Sequence, residues 1–123
     1  MFKQFIYITM FTATTAFAEG DPVEGEKAYK KCAVCHTVEE GGKNGTGPNL
    51  WNIFNRGVTQ GEFKYSKGLT EWAQTNTMWT PELMNDWLTD PKKLVKGTKM
   101  QYKEKDEAAR ANIIAYLQSM GVK

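Results

Sequence analysis

Apolar and small residues recur at helical spacing in three parts of the chain, and each part begins with residues that favour a helix start. The first part opens at Asp21-Pro22, where a capping side chain precedes a proline suited to the first helical position. The pattern predicts a helix that runs from Pro22 into the segment around Cys32. Its inner stripe consists of Gly25, Ala28, Tyr29 and Cys32.

A second helical stripe lies near the end of the sequence. Asp106 can cap this helix and Gly121 can end it. Its apolar face consists of Ile113, Tyr116, Leu117 and Met120. Because a glycine inside a helix costs about 1 kcal/mol relative to alanine, Gly25 is best explained by the close approach of another backbone. We therefore expect the first and last helices to cross at Gly25.

The third helical part begins at Thr80-Pro81 and must stop near Asp90-Pro91. Ahead of it, residues 38–79 are rich in glycine and polar side chains, with at most one short helix at 67–74. So long a stretch with little regular structure is unusual in a compact domain. A large apolar cofactor would resolve this, because loops could then pack around it as around a core.

The segment Cys32-Ala33-Val34-Cys35-His36 carries the most specific chemical signal, since two cysteines three apart followed by histidine are typical of covalent attachment of a c-type haem. On a helical turn the two sulfurs and the imidazole share one face. A thioredoxin-like disulfide would need a strand–helix context, and a zinc site would need two further ligands. The chain has two cysteines and one histidine. We predict one haem c, held by two thioethers, with His36 on the iron.

The second axial ligand of the iron cannot be another histidine, so methionine, lysine and water remain as candidates. Met84 and Met120 fall in predicted helices, where they are better explained as core residues. Met100 stands apart, because it follows Gly97-Thr98-Lys99 in a polar loop with no helical stripe to join.

Residues 1–18 have the features of a secretory signal peptide: Lys3 near the start, an apolar run over 5–17 and a small residue, Ala18, at the predicted cleavage site. The alternative is a retained membrane anchor, but the run is short and includes four threonines. Spanning a bilayer takes about 20 mostly apolar residues. We expect cleavage after Ala18, no stable membrane insertion and a single domain over 19–123.

Charge is nearly balanced, with a formal net charge of +2 at pH 7, which argues against nucleic acid as a partner. The charges are unevenly placed, however. Six lysines and one acid, Glu104, lie between positions 92 and 105. A basic rim of this kind favours salt-sensitive association with acidic surfaces.

Several motifs together resemble class I cytochromes c, the small soluble electron carriers of mitochondria and bacteria, with details closer to the bacterial members. They are Cys32 to His36, Gly47-Pro48-Asn49-Leu50, the segment 91–100 and Ile114-Ala115-Tyr116-Leu117. They occur in the family's order and span essentially all of 19–123. The resemblance implies an all-α class I cytochrome c fold, with the terminal helices packed together and loops wrapped around one covalently bound haem.

The resemblance also implies roles for individual residues. His36 and Met100 match the axial pair, and the carbonyl of Pro48 matches the acceptor for the other imidazole nitrogen. Trp87 stands where a tyrosine usually contacts the methionine sulfur. The positions that bind or neutralise the haem propionates are matched by Arg56, Tyr65, Trp79 and Thr98.

On this resemblance we expect a monomeric periplasmic one-electron carrier and not an enzyme. It would shuttle between a respiratory or photosynthetic donor, such as a quinol-oxidising cytochrome complex, and a terminal acceptor. Redox proteins would dock transiently at a haem edge lined by Lys92, Lys93, Lys96 and Lys99. Two alternatives stay open: a tightly bound electron-transfer subunit of a dehydrogenase or oxidase, or a ligand-binding or peroxidatic haem protein if Met100 is not an iron ligand.

Overall fold

The computed structural model describes Gln4, Ile6 and residues 19–122, so the predicted signal peptide lies almost entirely outside the described residues. Within them the chain is helical, without a named strand, and one isolated bridge joins Gly57 to Met78. The all-α prediction is confirmed. The helices are α1 (Pro22–Tyr29), α2 (Lys67–Trp72), α3 (Pro81–Thr89), α4 (Pro91–Leu94) and α5 (Glu107–Ser119), with a 3-10 turn at Ile53–Asn55.

The predicted helix starts are confirmed by their caps. The side chain of Asp21 accepts from the amide of Val23 at 2.8 Å at the start of α1. Thr80 and Asp106 cap α3 and α5 in the same way. Each cap satisfies a backbone N–H that has no partner inside the helix, which is why these residue types mark the starts so reliably.

Helix α1 ends at Tyr29 and is therefore shorter than the sequence predicts. Beyond it the amides of Cys32 and Ala33 both donate to the carbonyl of Tyr29, at 2.7 and 3.0 Å. The amides of Cys35 and His36 both donate to the carbonyl of Cys32, at 3.0 and 2.9 Å. Bonds to the third residue back tighten the backbone relative to an α-helix. The attachment motif is therefore a compact turn that follows the helix.

The crossing of α1 and α5 at Gly25 is confirmed. A Cβ placed on Gly25 would overlap the carbonyl oxygen of Asn112 and lie 2.8 Å from Cβ of Tyr116. At the start of α1 the amide of Asp21 donates to Oδ1 of Asn112 at 2.8 Å. The rings of Tyr29 and Tyr116 pack 5.3 Å apart farther along the crossing. Absence of a side chain at Gly25 is thus what lets the two backbones touch.

The segment that leads to Met100 contains a helical turn that the sequence did not predict. Asp90 ends α3 and also caps α4, since its carboxylate accepts from the amide of Lys93 at 3.3 Å. Pro91 and Val95 are buried at this point. The buried turn anchors the start of the loop that presents Met100.

The loop-rich middle of the chain is fixed by backbone and amide hydrogen bonds. The side-chain amide of Asn49 donates to Thr37 Oγ1 at 2.8 Å and to the carbonyl of Glu39 at 2.9 Å. The amide of Asn52 donates to the carbonyl of Met120 at 2.8 Å, so this loop is tied to the end of α5.

Among the described residues, no helix has both the length and the apolar character that crossing a bilayer requires.

Candidate haem site

A cavity of about 420 Å³ lies between the helices and the loops that precede α2 and follow α4. Its walls are mostly apolar, and Leu69, Trp87 and Ile113 contribute from α2, α3 and α5. Cofactor sites commonly have volumes of about 300–1,000 Å³. The loops and helices therefore enclose a space of the size and chemistry that a large planar apolar group needs.

The structure brings most of the predicted site residues to this one cavity. The lining includes Cys32, Cys35, His36, Pro48, Tyr65, Trp79, Trp87, Thr98 and Met100. Arg56 does not line the cavity itself, and its Nη2 donates to the carbonyl of Asn49. Residues far apart in sequence thus meet around a single space.

Met84 is a lining residue whose position sequence analysis did not predict. We expected it in the protein core, and it is indeed only 5% exposed, but its side chain also faces the cavity. The described part of the chain therefore places two thioethers, of Met84 and Met100, at the same space. Helical periodicity cannot distinguish a residue that packs on a cofactor from one that packs on protein.

His36 is held in an orientation suited to metal binding. Its Nδ1 lies 2.7 Å from the carbonyl oxygen of Pro48. Since a carbonyl oxygen can only accept, Nδ1 carries the proton and Nε2 keeps its lone pair. Burial lowers the pKa of His36, and the Pro48 hydrogen bond opposes this to a smaller extent. The neutral imidazole therefore predominates at neutral pH with Nε2 available as a ligand.

Gly47 allows the loop before Pro48 to lie against the ring of His36. A Cβ on Gly47 would overlap Cε1 of that ring and lie 2.7 Å from its Nδ1. The amide of Gly47 also donates to the carbonyl of Cys35 at 2.8 Å, which ties the loop to the attachment turn.

Gly47→Ala is therefore expected to displace the imidazole or the Pro48 carbonyl. Overpacking of this kind costs about 1–3 kcal/mol in the free energy of unfolding. The measurement is chemical denaturation of the haem-loaded protein, together with the NMR resonances of the His36 ring. Unchanged ring resonances and unchanged stability would show that the loop does not press on the ring.

Arg56 has a hydrogen-bonding capacity that the protein leaves unused. Its Nη2 donates to the carbonyl of Asn49, but its Nε is buried without a partner among the described residues. A buried donor without an acceptor costs about 1–3 kcal/mol. An anionic group near the cavity wall would supply that acceptor. A porphyrin carboxylate is such a group.

Three tryptophans form one packed cluster along the cavity. The rings of Trp72 and Trp79 are 5.4 Å apart, and so are those of Trp79 and Trp87. Thr98 is buried nearby, and the hydroxyl of Tyr65 donates to the carbonyl of Gln60 at 3.0 Å. Trp79 and Trp87 line the cavity, and Trp72 packs against Trp79 from outside the lining.

The predicted basic edge is exposed, as Lys92, Lys93, Lys96 and Lys99 all lie at the surface. Lys99 also lines the mouth of the cavity. Lys103, which belongs to the same run, is paired with Asp90 at 3.3 Å. The positive charge is thus concentrated on the segment that leads to Met100.

The donor set fits a haem. Two cysteines, an imidazole with a free nitrogen and two thioethers line one apolar cavity, and the Arg56 guanidinium has a buried nitrogen without a partner among the described residues. This combination defines the site of a c-type haem protein. Comparisons with known proteins lead to the same class.

The chain belongs to the cytochrome c family, whose sequence model matches residues 22–121. It is 35% identical to cytochrome c2 of Rhodospirillum rubrum over 119 residues, covering 89% of this chain and 88% of that protein. It is 42% identical to cytochrome c2 of Rhodoblastus acidophilus over 100 residues, covering 80% and 91%. Membership of the family indicates an electron carrier and a covalently bound haem c.

The structural comparison agrees with the sequence comparison. The structure of cytochrome c2 from Rhodospirillum centenum matches with a TM-score of 0.79 and 32% identity, over 84% of this chain and all of that one. Cytochrome cH from Methylobacterium extorquens matches with a TM-score of 0.71 and 35% identity, over 81% and 99%. The class I cytochrome c fold expected from the motifs is confirmed.

Proposed function

We propose that the protein is a periplasmic one-electron carrier with haem c bound to Cys32 and Cys35 and with His36 and Met100 as the axial ligands. The observation that carries this proposal is that all four side chains line one cavity. When bound, the haem supplies an iron that alternates between the ferrous and ferric states. The protein supplies the ligands, their orientation and the exclusion of water.

The two proposed ligands would also determine what the site does not do. If His36 and Met100 both bound the iron, they would leave it no open position for a substrate, which would favour electron transfer over an enzymatic role. The Pro48 carbonyl fixes the imidazole ring, and the buried turn at Pro91 anchors the Met100 loop. A rigid ligand set changes little between oxidation states, so little reorganisation opposes electron transfer.

The polar residues of the wall have proposed roles toward the haem carboxylates. Arg56 would donate from its unpaired Nε, and Tyr65, Trp79 and Thr98 would add hydrogen bonds from the cavity side. Trp87, with its indole N–H, would take the place of the tyrosine that usually contacts the methionine sulfur.

The exposed lysines of the Met100 segment support transient docking of acidic redox partners to a monomer. Positive charge at one edge increases the association rate and makes it sensitive to salt. The donor would be a respiratory or photosynthetic component, such as a quinol-oxidising cytochrome complex, and the electron would pass on to a terminal acceptor. Export with cleavage after Ala18 would bring the carrier to the periplasm.

The two cavity methionines provide a matched test of the ligand assignment. In the haem-loaded protein, Met100→Ala is expected to abolish the sulfur-to-iron charge-transfer band and to lower the midpoint potential, because a neutral sulfur ligand favours ferrous iron. Met84→Leu removes the other thioether with little change in volume and should retain the band. Optical spectra recorded during a redox titration measure both effects.

The opposite pattern, with the band lost in Met84→Leu and kept in Met100→Ala, would contradict the assignment. Carbon monoxide binding gives a further check. The reduced wild-type protein should bind it poorly at neutral pH, whereas Met100→Ala, with one axial position open, should bind it readily. Rapid stoichiometric binding by the wild type would favour a ligand-binding or peroxidatic haem protein.

A further inference from the structure

Glu104 is a buried acid within the lysine-rich run, with only 7% of its surface exposed. Its Oε2 accepts from the hydroxyl of Tyr102, and its Oε1 accepts from the amide of Asp106 at 3.2 Å. The Nζ of Lys31 lies 3.7 Å from Oε2. A carboxylate with two hydrogen-bond donors and one cation is satisfied in its ionised form. Consistent with this, the Tyr102 hydrogen bond lowers the pKa of Glu104.

The backbone holds this carboxylate in place. The amide of Glu104 donates to the carbonyl of Leu88 at 2.7 Å, which joins it to α3. Its own carbonyl accepts from Nη1 of Arg110 at 2.9 Å, and Nε of Arg110 donates to Oδ1 of Asn85 at 2.8 Å. Glu104 is thereby fixed to both α3 and α5. Its carboxylate has a defined position because the hydroxyl of Tyr102 and the amide of Asp106 both donate to it.

That position is close to the part of the cavity wall that includes Cys32. Glu104 does not line the cavity itself, but both side chains that contact its carboxylate, Tyr102 and Lys31, line the cavity together with Cys32. Burial raises the pKa of the Cys32 thiol to about 11, and the next largest cause is the negative charge of Glu104, ahead of the opposing charge of Lys31. The Lys31 side chain is 65% exposed and that of Glu104 is 9% exposed. Solvent screens the cation more than the anion, so within this pair the negative charge is the less screened of the two.

We propose that Glu104 lowers the midpoint potential of the carrier by placing a fixed negative charge beside the haem edge at Cys32. The inference depends on the proposed function, in which a haem is attached there. Oxidised haem carries one more positive charge than reduced haem, so a nearby anion stabilises the oxidised form. One electron from a protein donor reduces ferric to ferrous iron, and the carboxylate makes that step less favourable.

Glu104→Gln is the direct test, because it removes the charge and retains a side-chain oxygen as acceptor. At the wild-type midpoint potential, the ratio of reduced to oxidised protein is expected to rise on the order of three- to tenfold, as for one partly buried charge at an effective dielectric constant of about 20. Lys31→Gln should lower the same ratio. Glu107→Gln removes an exposed carboxylate three residues away and should change the ratio by less than about twofold, since solvent screens it.

Spectroelectrochemical titration of the haem-loaded variants gives the ratio, and the sulfur-to-iron band reports whether Met100 is bound. A raised ratio with the band retained supports the proposal. An unchanged or lowered ratio in Glu104→Gln overturns it, as does an equal shift in Glu107→Gln. Absence of the band in the wild-type protein would instead refute the proposed ligands, so the two failures are distinguishable.

Discussion

Replacing Cys32 and Cys35 together by serine is expected to abolish covalent haem attachment and to prevent the chain from folding stably. Serine preserves the size and polarity of each side chain closely, but it cannot form the thioether. The described residues contain two free cysteine side chains, and both lie at the cavity. Covalent attachment at this site therefore depends on this pair.

The expected loss of stability follows from the size of the cavity. Cavities created in protein cores cost about 24 cal/mol per Å³, so leaving about 420 Å³ unfilled corresponds to at most about 10 kcal/mol. Small domains have a total free energy of unfolding of about 5–15 kcal/mol. Without its cofactor the protein would have little or no stability left.

Acid–acetone extraction and far-UV circular dichroism measure the two effects, since extraction removes haem that is not covalently bound. Val34→Ser is the matched control, because Val34 lies between the cysteines and is 82% exposed. It should leave both haem content and helicity unchanged. A double serine variant that retained haem through extraction would contradict the attachment assignment.

Gly25→Ala is expected to destabilise the protein by about 3 kcal/mol, at the upper end of the usual cost of overpacking. In an exposed helix the same change would stabilise by about 1 kcal/mol. Here the added Cβ would overlap the carbonyl of Asn112, and the nearest atoms belong largely to backbone that cannot rotate away. Helices α1 and α5 would have to separate at their crossing.

Chemical denaturation of the haem-loaded protein measures this loss, with Gly57→Ala as the control. At Gly57 the nearest heavy atom to an added Cβ is 3.6 Å away, an ordinary contact distance. The control should change stability by well under 1 kcal/mol. Equal effects at the two glycines would show that the helix crossing does not limit the size of residue 25.

Local sequence signals were sufficient for much of the architecture. Asp21, Thr80 and Asp106 predicted helix starts because their side chains bond backbone amides only a few residues away. Gly25 predicted a close crossing because glycine inside a helix lowers stability relative to alanine, unless its missing side chain lets another backbone approach. The attachment pentapeptide predicted the cofactor because its residue types and spacing have few other uses.

Features that depend on distant contacts were not predictable in the same way. The early end of α1 at Tyr29 depends on the turn that the motif adopts, and helix α4 depends on the burial of Pro91. Met84 has helical spacing whether it faces protein or cofactor. In the sequence Glu104 is one acid among lysines, and its burial could not be predicted from that. The burial depends on contacts with Leu88 and Arg110, which come from other parts of the chain.

The crossing of α1 with α5 also bears on the order of events during synthesis. Gly25 finds its partner Asn112 only after most of the chain has left the ribosome. Closing so long a loop costs conformational entropy before the contact between the two helices can offset it. The cavity that Ile113 and Leu117 help to line is therefore complete only when this last described helix packs against α1.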